Sequence, residues 1–230
     1  MGKSKLSIFT ITYNEAEHLE FWYKQHKDLA DEIIVVDTDS IDGTQEIAKK
    51  LPIKFIETKW HHSFAEAKNL AIRHCSGDWL LSLAPDYWIN KRNFKMIRKA
   101  IEANDKKAFW MPLVHHFTDW NGGNEEKPSL KNFEKEDYLA NCHLALFKND
   151  PFIRYQGRVH ENVHESVWEK YGKDSCGFIP ATRHHDNTKN QISNPLKLKY
   201  YWFLENLSAL ERKAWEVGQE LRKKAYDAER

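Results

Sequence analysis

The sequence predicts an α/β fold on a largely parallel sheet, and three observations carry that prediction. Short apolar, β-branched runs alternate with segments of helical periodicity as far as Leu83, the pattern of parallel strands joined by crossover helices. Two of these runs lead into a lone acid, Asp37 and Asp86, and in an open α/β sheet ligands gather at the carboxyl ends of strands. Beyond Ala103 the texture changes to longer strand-like runs around a polar, glycine-containing loop, which predicts a mixed or antiparallel second half.

Leu6 to Thr12 reads as the buried first strand, and Tyr13-Asn14-Glu15 as its polar corner. From Ala16 onward Leu19, Trp22, Tyr23 and Leu29 recur at roughly helical spacing, with His26 on the same side. Glu32 to Asp37 is the second strand and Asp39 to Gly43 its turn, after which the Thr44 hydroxyl is expected to cap a helix over Gln45 to Leu51. Ile53 to Ile56 gives a third strand, Phe64 to Cys75 a helix stopped by Gly77, and Trp79 to Leu83 a fourth strand. Asn93 to Ala103 is amphipathic through Phe94, Met96, Ile97, Ala100 and Ile101. Ala108 to Phe117 and Leu139 to Phe147 follow as strands around the loop containing Asn121-Gly122-Gly123-Asn124. Leu207, Leu210, Ala214, Val217, Leu221 and Ala225 form one apolar stripe in a charged C-terminal helix. The expected organisation is therefore one domain over residues 1–192 and a helical extension over 193–230, docked on that domain or on a second copy as a homodimer.

The 230 residues carry 35 Lys and Arg against 34 Asp and Glu, a balance that offers no long-range field for a nucleic acid or membrane surface. Cys75, Cys142 and Cys176 are odd in number and widely spaced, as unlinked thiols of a reducing compartment are. No signal-peptide pattern opens the chain and no apolar run reaches membrane-spanning length. The expectation is a cytoplasmic protein with no membrane span.

Four marks stand in order: Thr12-Tyr13-Asn14-Glu15, then Asp37-Thr38-Asp39-Ser40-Ile41-Asp42-Gly43-Thr44, then Asp86, then Gly157-Arg158-Val159-His160-Glu161. Each alone has an ordinary structural explanation, since Asn, Asp, Ser, Gly and Pro-Asp all form turns. Together they resemble the family 2 glycosyltransferases of the nucleotide-sugar-binding GT-A fold. That resemblance implies a GT-A-like, mixed but largely parallel central sheet flanked by helices, and transfer of a sugar from a nucleotide-sugar donor, a UDP sugar, to an acceptor hydroxyl with inversion. It implies nucleoside contacts from Thr12, Tyr13, Asn14, Glu15, Asp37 and Asp39, where a carboxylate can accept from a base N–H or a ribose hydroxyl. Lys68 is a candidate diphosphate contact, or else a solvated helix charge.

The family's metal motif, Asp-x-Asp, falls on Ala84-Pro85-Asp86, so its first acid is absent. Asp86 remains the candidate ligand for Mn2+ or Mg2+ against the diphosphate, with His184 as its partner and His185 as the second choice. The family's His-Glu pair falls on His160-Glu161, with Glu161 as general base and His160 orienting it or meeting the diphosphate. The acceptor stays open among a glycan, a protein, a small molecule and a modified DNA base. The missing acid leaves a non-catalytic nucleotide-sugar binder as an alternative, and a nucleotidyltransferase on a similar fold is a third reading. The doublets His61-His62, His115-His116 and His184-His185 lack the regular pairing of a structural zinc site.

Overall fold

In the computed structural model, which describes residues 3–116, 138–186, 199–201, 204 and 224, β1 (Leu6–Thr12) lies inside a nine-stranded sheet. It pairs in parallel with β2 (Glu32–Thr38) on one edge and β4 (Trp79–Ser82) on the other, and β2 pairs in parallel with β3 (Lys54–Thr58). A strand hydrogen-bonded on both edges and covered on both faces is largely apolar. Leu6 and Ile8 accordingly enter one core with Ile33 and Val35, while Phe9 enters the other with Ile34 and Val36. The crossover helices α1 (Ala16–His26) and α3 (Phe64–His74) cover opposite faces: Leu19 and Trp22 pack in the first core, Ala65, Ala71 and Ile72 in the second. Between them, α2 (Thr44–Lys50) connects β2 to β3, and after β4 the helix α4 (Phe94–Ala103) adds Ile97 and Ile101 to the first core. Full burial of such side chains contributes about 1.5–3 kcal/mol each.

Gly77 is needed where α3 returns to β4, for a steric reason. A Cβ there would stand 2.6 Å from Ser7 Oγ and 2.7 Å from Ser7 N. The close approach lets Gly77 N donate to Ser7 Oγ at 2.9 Å and to Glu32 Oε1 at 3.1 Å, tying the entry of β4 to β1 and β2.

The second half is mixed, as its texture predicts. β7 (Tyr138–Lys148) runs antiparallel to β4 and to β6 (Ala108–His116). The strand β9 (Arg183–Asp186) then runs parallel to β6 and antiparallel to β5 (Tyr87–Ile89), so the order is β3-β2-β1-β4-β7-β6-β9-β5, with β8 (Cys176–Phe178) pairing β6 separately. The helix α5 (His164–Tyr171) packs Val167 into the second core.

Several local expectations are corrected. Thr44 is the first helical residue rather than the cap: the N-cap is Gly43, and the Thr44 hydroxyl accepts from Glu15 N at 2.8 Å instead. The first helix ends at His26, short of Leu29. β5, β8, β9 and α5 carry no pattern the sequence reading picked out, because three are strands of three or four residues and α5 is a short, half-polar helix. Of the C-terminal extension, Tyr200 and Leu204 are buried against Trp60, Ala67 and Val159, and Trp60 Nε1 donates to Tyr200 Oη. The apolar stripe from Leu207 to Ala225 and the loop with Asn121 to Asn124 lie outside the described residues. Among the described residues no helix is long and apolar enough to cross a membrane.

Candidate active site

The corners after β1 and β2 are built into each other. Asn14 and Asp39 both adopt left-handed backbone, φ 57° and 68°, a conformation that Asn and Asp tolerate better than most residues. Asn14 N donates to Ser40 Oγ at 2.8 Å, and Ile41 N returns a bond to Asn14 Oδ1 at 2.9 Å. Ala16 N reaches Asp42 Oδ2 at 3.0 Å, and Thr38 Oγ1 donates to Thr12 O at 2.8 Å. Asp37 is fully buried beneath this lattice. Its Oδ1 accepts from Ser40 N at 3.0 Å and Gln45 Nε2 at 2.8 Å, and its Oδ2 from Thr12 Oγ1 at 2.9 Å and from Ser40 Oγ. Of the six residues expected at a nucleoside, Thr12, Asn14 and Asp37 thus devote polar atoms to holding the corner's shape. Asp39 Oδ2 takes the backbone N–H of Trp60 at 3.0 Å, binding the corner to the β3–α3 loop. Tyr13 stands at the same corner, between Thr12 and Asn14.

Glu15 turns toward a second group of charges. It meets His18 Nδ1 at 2.9 Å. Burial pushes its carboxyl up to about 7, with Asp86 and Asp42 adding to the shift and His18 opposing it. His18 is raised in turn, chiefly by its bond to Glu15. Asp86 Oδ2 lies 2.8 Å from His185 Nε2, and His185 Nδ1 lies 2.7 Å from His115 Nδ1, so one of those two rings holds the proton between them. Burial alone would raise the Asp86 carboxyl, but the imidazoles of His185 and His18 hold it below the usual carboxylate range. Its Oδ1 is buried with no hydrogen-bond partner among the described residues, and a buried carboxylate oxygen left so is costly unless something binds it.

The partner of Asp86 is His185, not His184. Pairing of β9 with β5 sets His185 opposite Tyr87 and His184 opposite Trp88, and side chains alternate between faces along a strand. His184 stacks on Trp88, centroids 5.2 Å apart at 18°. Among the described residues no group of three or more His, Cys, Asp or Glu side chains is placed to hold a metal ion.

Beside this group opens a cavity of about 480 Å³, lined among others by Ala84, Tyr87, Lys68, Tyr155, His160 and Glu161. Glu161 follows a tight turn: Gln156 and Asn162 exchange backbone hydrogen bonds of 2.8 and 3.0 Å, while Gly157 and His160 take positive φ of 91° and 52°. That turn aims Glu161 inward, where its Oε1 stands 2.5 Å from Lys68 Nζ. Burial would lower the Lys68 ammonium, but Glu161 and then Tyr155, whose ring lies 4.8 Å beneath it, reverse this and raise it above its ordinary range. His160 is exposed and meets Tyr201 edge-on at 5.8 Å, so it sits at the mouth. Tyr87 joins the two groups: its hydroxyl is raised first by burial, then by Asp86 and, more weakly, by Glu161.

The structure thus brings Asp86, Glu161 and Lys68 around Tyr87, leaves His160 at the mouth of the same cavity, keeps Glu15 next to Asp86, sets Asp37 under the adjoining corner, and turns His184 away. His18 and Tyr87 were not singled out from the sequence, and His115 was noted only as half of a doublet. His18 had a signal, because it lies one helical turn from Glu15; the His115–His185 contact depends on strand register.

The architecture is the GT-A fold. It superposes on Staphylococcus aureus TarS with a TM-score of 0.57 at 14% identity, over 97% of this chain and 43% of that one. It also superposes on the glucosyl-3-phosphoglycerate synthase of Mycobacterium tuberculosis, solved with Mn2+, UDP and phosphoglyceric acid, with a TM-score of 0.55 at 14% identity over 86% and 74% of the two chains. The sequence model of glycosyl transferase family 2 matches residues 7–154, and the chain belongs to that family. Its relatives include a protein named as an uncharacterized glycosyltransferase in Rickettsia bellii, 38% identical over 169 residues, 71% of this chain and 52% of that one. Another is a TPR repeat-containing protein of Synechococcus elongatus, 30% identical over 195 residues, 82% and 44%. The chain spans about half the length of these curated relatives.

Proposed function

We propose that this chain transfers a glycosyl group from a nucleotide sugar, specifically a UDP sugar, to an acceptor hydroxyl with inversion at the anomeric carbon. The observation that carries the proposal is the Lys68–Glu161 pair at 2.5 Å inside the cavity: it holds a carboxylate in one orientation where an acceptor would enter. In this reading Glu161 accepts the hydroxyl proton as the oxygen bonds to the anomeric carbon, while the bond from that carbon to the diphosphate oxygen breaks and the nucleoside diphosphate leaves. Lys68 fixes the Glu161 rotamer and offsets its charge. The interlocked corners around Asn14 and Asp39 support the nucleoside, with Asp37 holding their shape.

A divalent cation, Mn2+ or Mg2+, fits the residues present. The unpartnered Asp86 Oδ1 supplies a hard oxygen ligand, with His185 adjacent. One or two protein ligands suffice where substrate phosphates complete the shell. Such an ion would supply positive charge against the leaving diphosphate. A second reading, a binder without turnover, is favoured by the Ala84 methyl group that lines the cavity where the family's first motif acid stands.

The test is a panel of nucleotide sugars in thermal-shift format with and without Mn2+, followed by turnover assays on E161Q and D86N. We expect E161Q to bind donor normally and lose about 10²-fold or more in transfer, and D86N to lose the Mn2+-dependent part of donor binding. Near-normal transfer by E161Q would overturn the assignment of the base, and donor binding with no transfer to any acceptor would select the second reading.

A further inference from the structure

Arg183 is the buried cation that the proposed reaction does not use. It is 3% exposed, on β9, and lines the same cavity as Glu161. Its polar contact among the described residues is one hydrogen bond, from Nη2 to the carbonyl of Met111 at 3.3 Å. Nε is buried with no partner, and the guanidinium lies 5.9 Å from the Tyr87 ring centroid. Among the described residues it forms no ion pair with a carboxylate: burial lowers its pKa, and Tyr87, Tyr155 and Cys142 oppose this. The buried ammonium of the site, Lys68, is by contrast matched by Glu161. A guanidinium cannot shed its charge at ordinary pH, so a buried one without a counter-ion is costly to maintain. A fork of donors lining a cavity matches the planar oxygens of a carboxylate or phosphate.

The geometry points to Arg183 as the receiving site for an anionic group on the acceptor, which makes the acceptor a hydroxyl compound bearing a phosphate or a carboxylate. This rests on the transferase reading of the cavity. One observation favours the acceptor over the donor: the neighbourhood of Arg183 is that of Tyr155, on which Lys68 stacks while it holds Glu161, and Glu161 is the group that must meet the acceptor.

The experiment uses the full chain, with inorganic phosphate as the probe and Mg2+ present. Thermal unfolding and calorimetric titration are followed for wild type, R183Q and R183K, each alone and saturated with UDP. Phosphate is expected to bind the UDP-saturated wild type and raise its melting temperature further. R183Q should bind phosphate at least about tenfold more weakly with UDP affinity kept within about twofold, and R183K should retain part of the phosphate response. Phosphate that competes with UDP, or an R183Q defect confined to UDP, would assign Arg183 to the donor's diphosphate and overturn the proposal. If R183Q does not fold, the competition arm on wild type still decides. A wild type that binds no UDP defeats the transferase reading instead, and the phosphate titration of the protein alone then shows whether Arg183 holds an anion.

Discussion

Glu15 shows how a single residue's neighbours set its chemistry. Its carboxyl, half-withdrawn from water and facing Asp86, titrates near 7 in the folded chain against 4.5 as an isolated group. Because the folded value is the higher one, the folded state takes up protons between those limits. The stability this contributes is full below 4.5 and is lost as the pH rises through 7. We therefore expect E15Q to gain on wild type by on the order of 2 kcal/mol between pH 5.5 and pH 8, read by urea denaturation at both values. A difference that does not change with pH would show that Glu15 is ionised throughout. At this scale the sequence was informative about residue types and silent about partners. Asp86 and Glu161 are recognisable from their places after a strand and after a glycine turn. That His185 rather than His184 meets Asp86 depends on the register between β5 and β9, which two adjacent histidines cannot reveal.

Among the elements, β5 shows what short strands need. Three residues cannot hold themselves in place, and Ile89 N is tied to α1 by donating to His26 Nε2 at 3.2 Å, while His26 Nδ1 donates to the Trp22 carbonyl at 2.8 Å. Full burial drives the His26 pKa down to about 4, so the neutral ring is the folded form. That contribution is complete above 6.5 and is lost as the pH falls toward 4. H26Q should cost about 1–3 kcal/mol at pH 7.5, with the deficit shrinking by pH 5 because wild type loses its own advantage there; a deficit equal at both pH values would refute the neutral-ring role. G77A tests the junction of α3 and β4. With a methyl aimed at the Ser7 backbone, it should lose about 1–3 kcal/mol in the same assay. The parallel elements were legible because runs such as Glu32 to Thr38 are both long and apolar. β8 and β9 were not, since they are three or four residues long and their ladder partners lie far away in the sequence, and α5 was not, being a short helix of half-polar composition.

For the whole molecule, the alternation of strands and helices was enough to predict the parallel half, and the change of texture after Ala103 the mixed half. What no local pattern could indicate is that residues near 200 return to the body beside the cavity. Tyr200 and Leu204 cover Trp60 and Val159, and Tyr201 stands over Phe64 and His160. Removing the chain from Lys199 onward should therefore uncover Trp60 and lower the melting temperature by several degrees, roughly what a loss of 1–3 kcal/mol gives in a protein of this size; an unchanged melting temperature would mean that this contact adds nothing.

The double allegiance of β4 has a practical consequence. It is bonded in parallel to β1 by one edge and antiparallel to β7 by the other, so the corner proposed to support the nucleoside and the wall proposed to meet the acceptor share one strand as their common border. If those proposed roles hold, a hybrid spliced just past that border, between Ser82 and Ala84, would inherit its donor preference from one parent and its acceptor from the other. A splice placed inside the ladder would leave one of the two parents' seams mismatched.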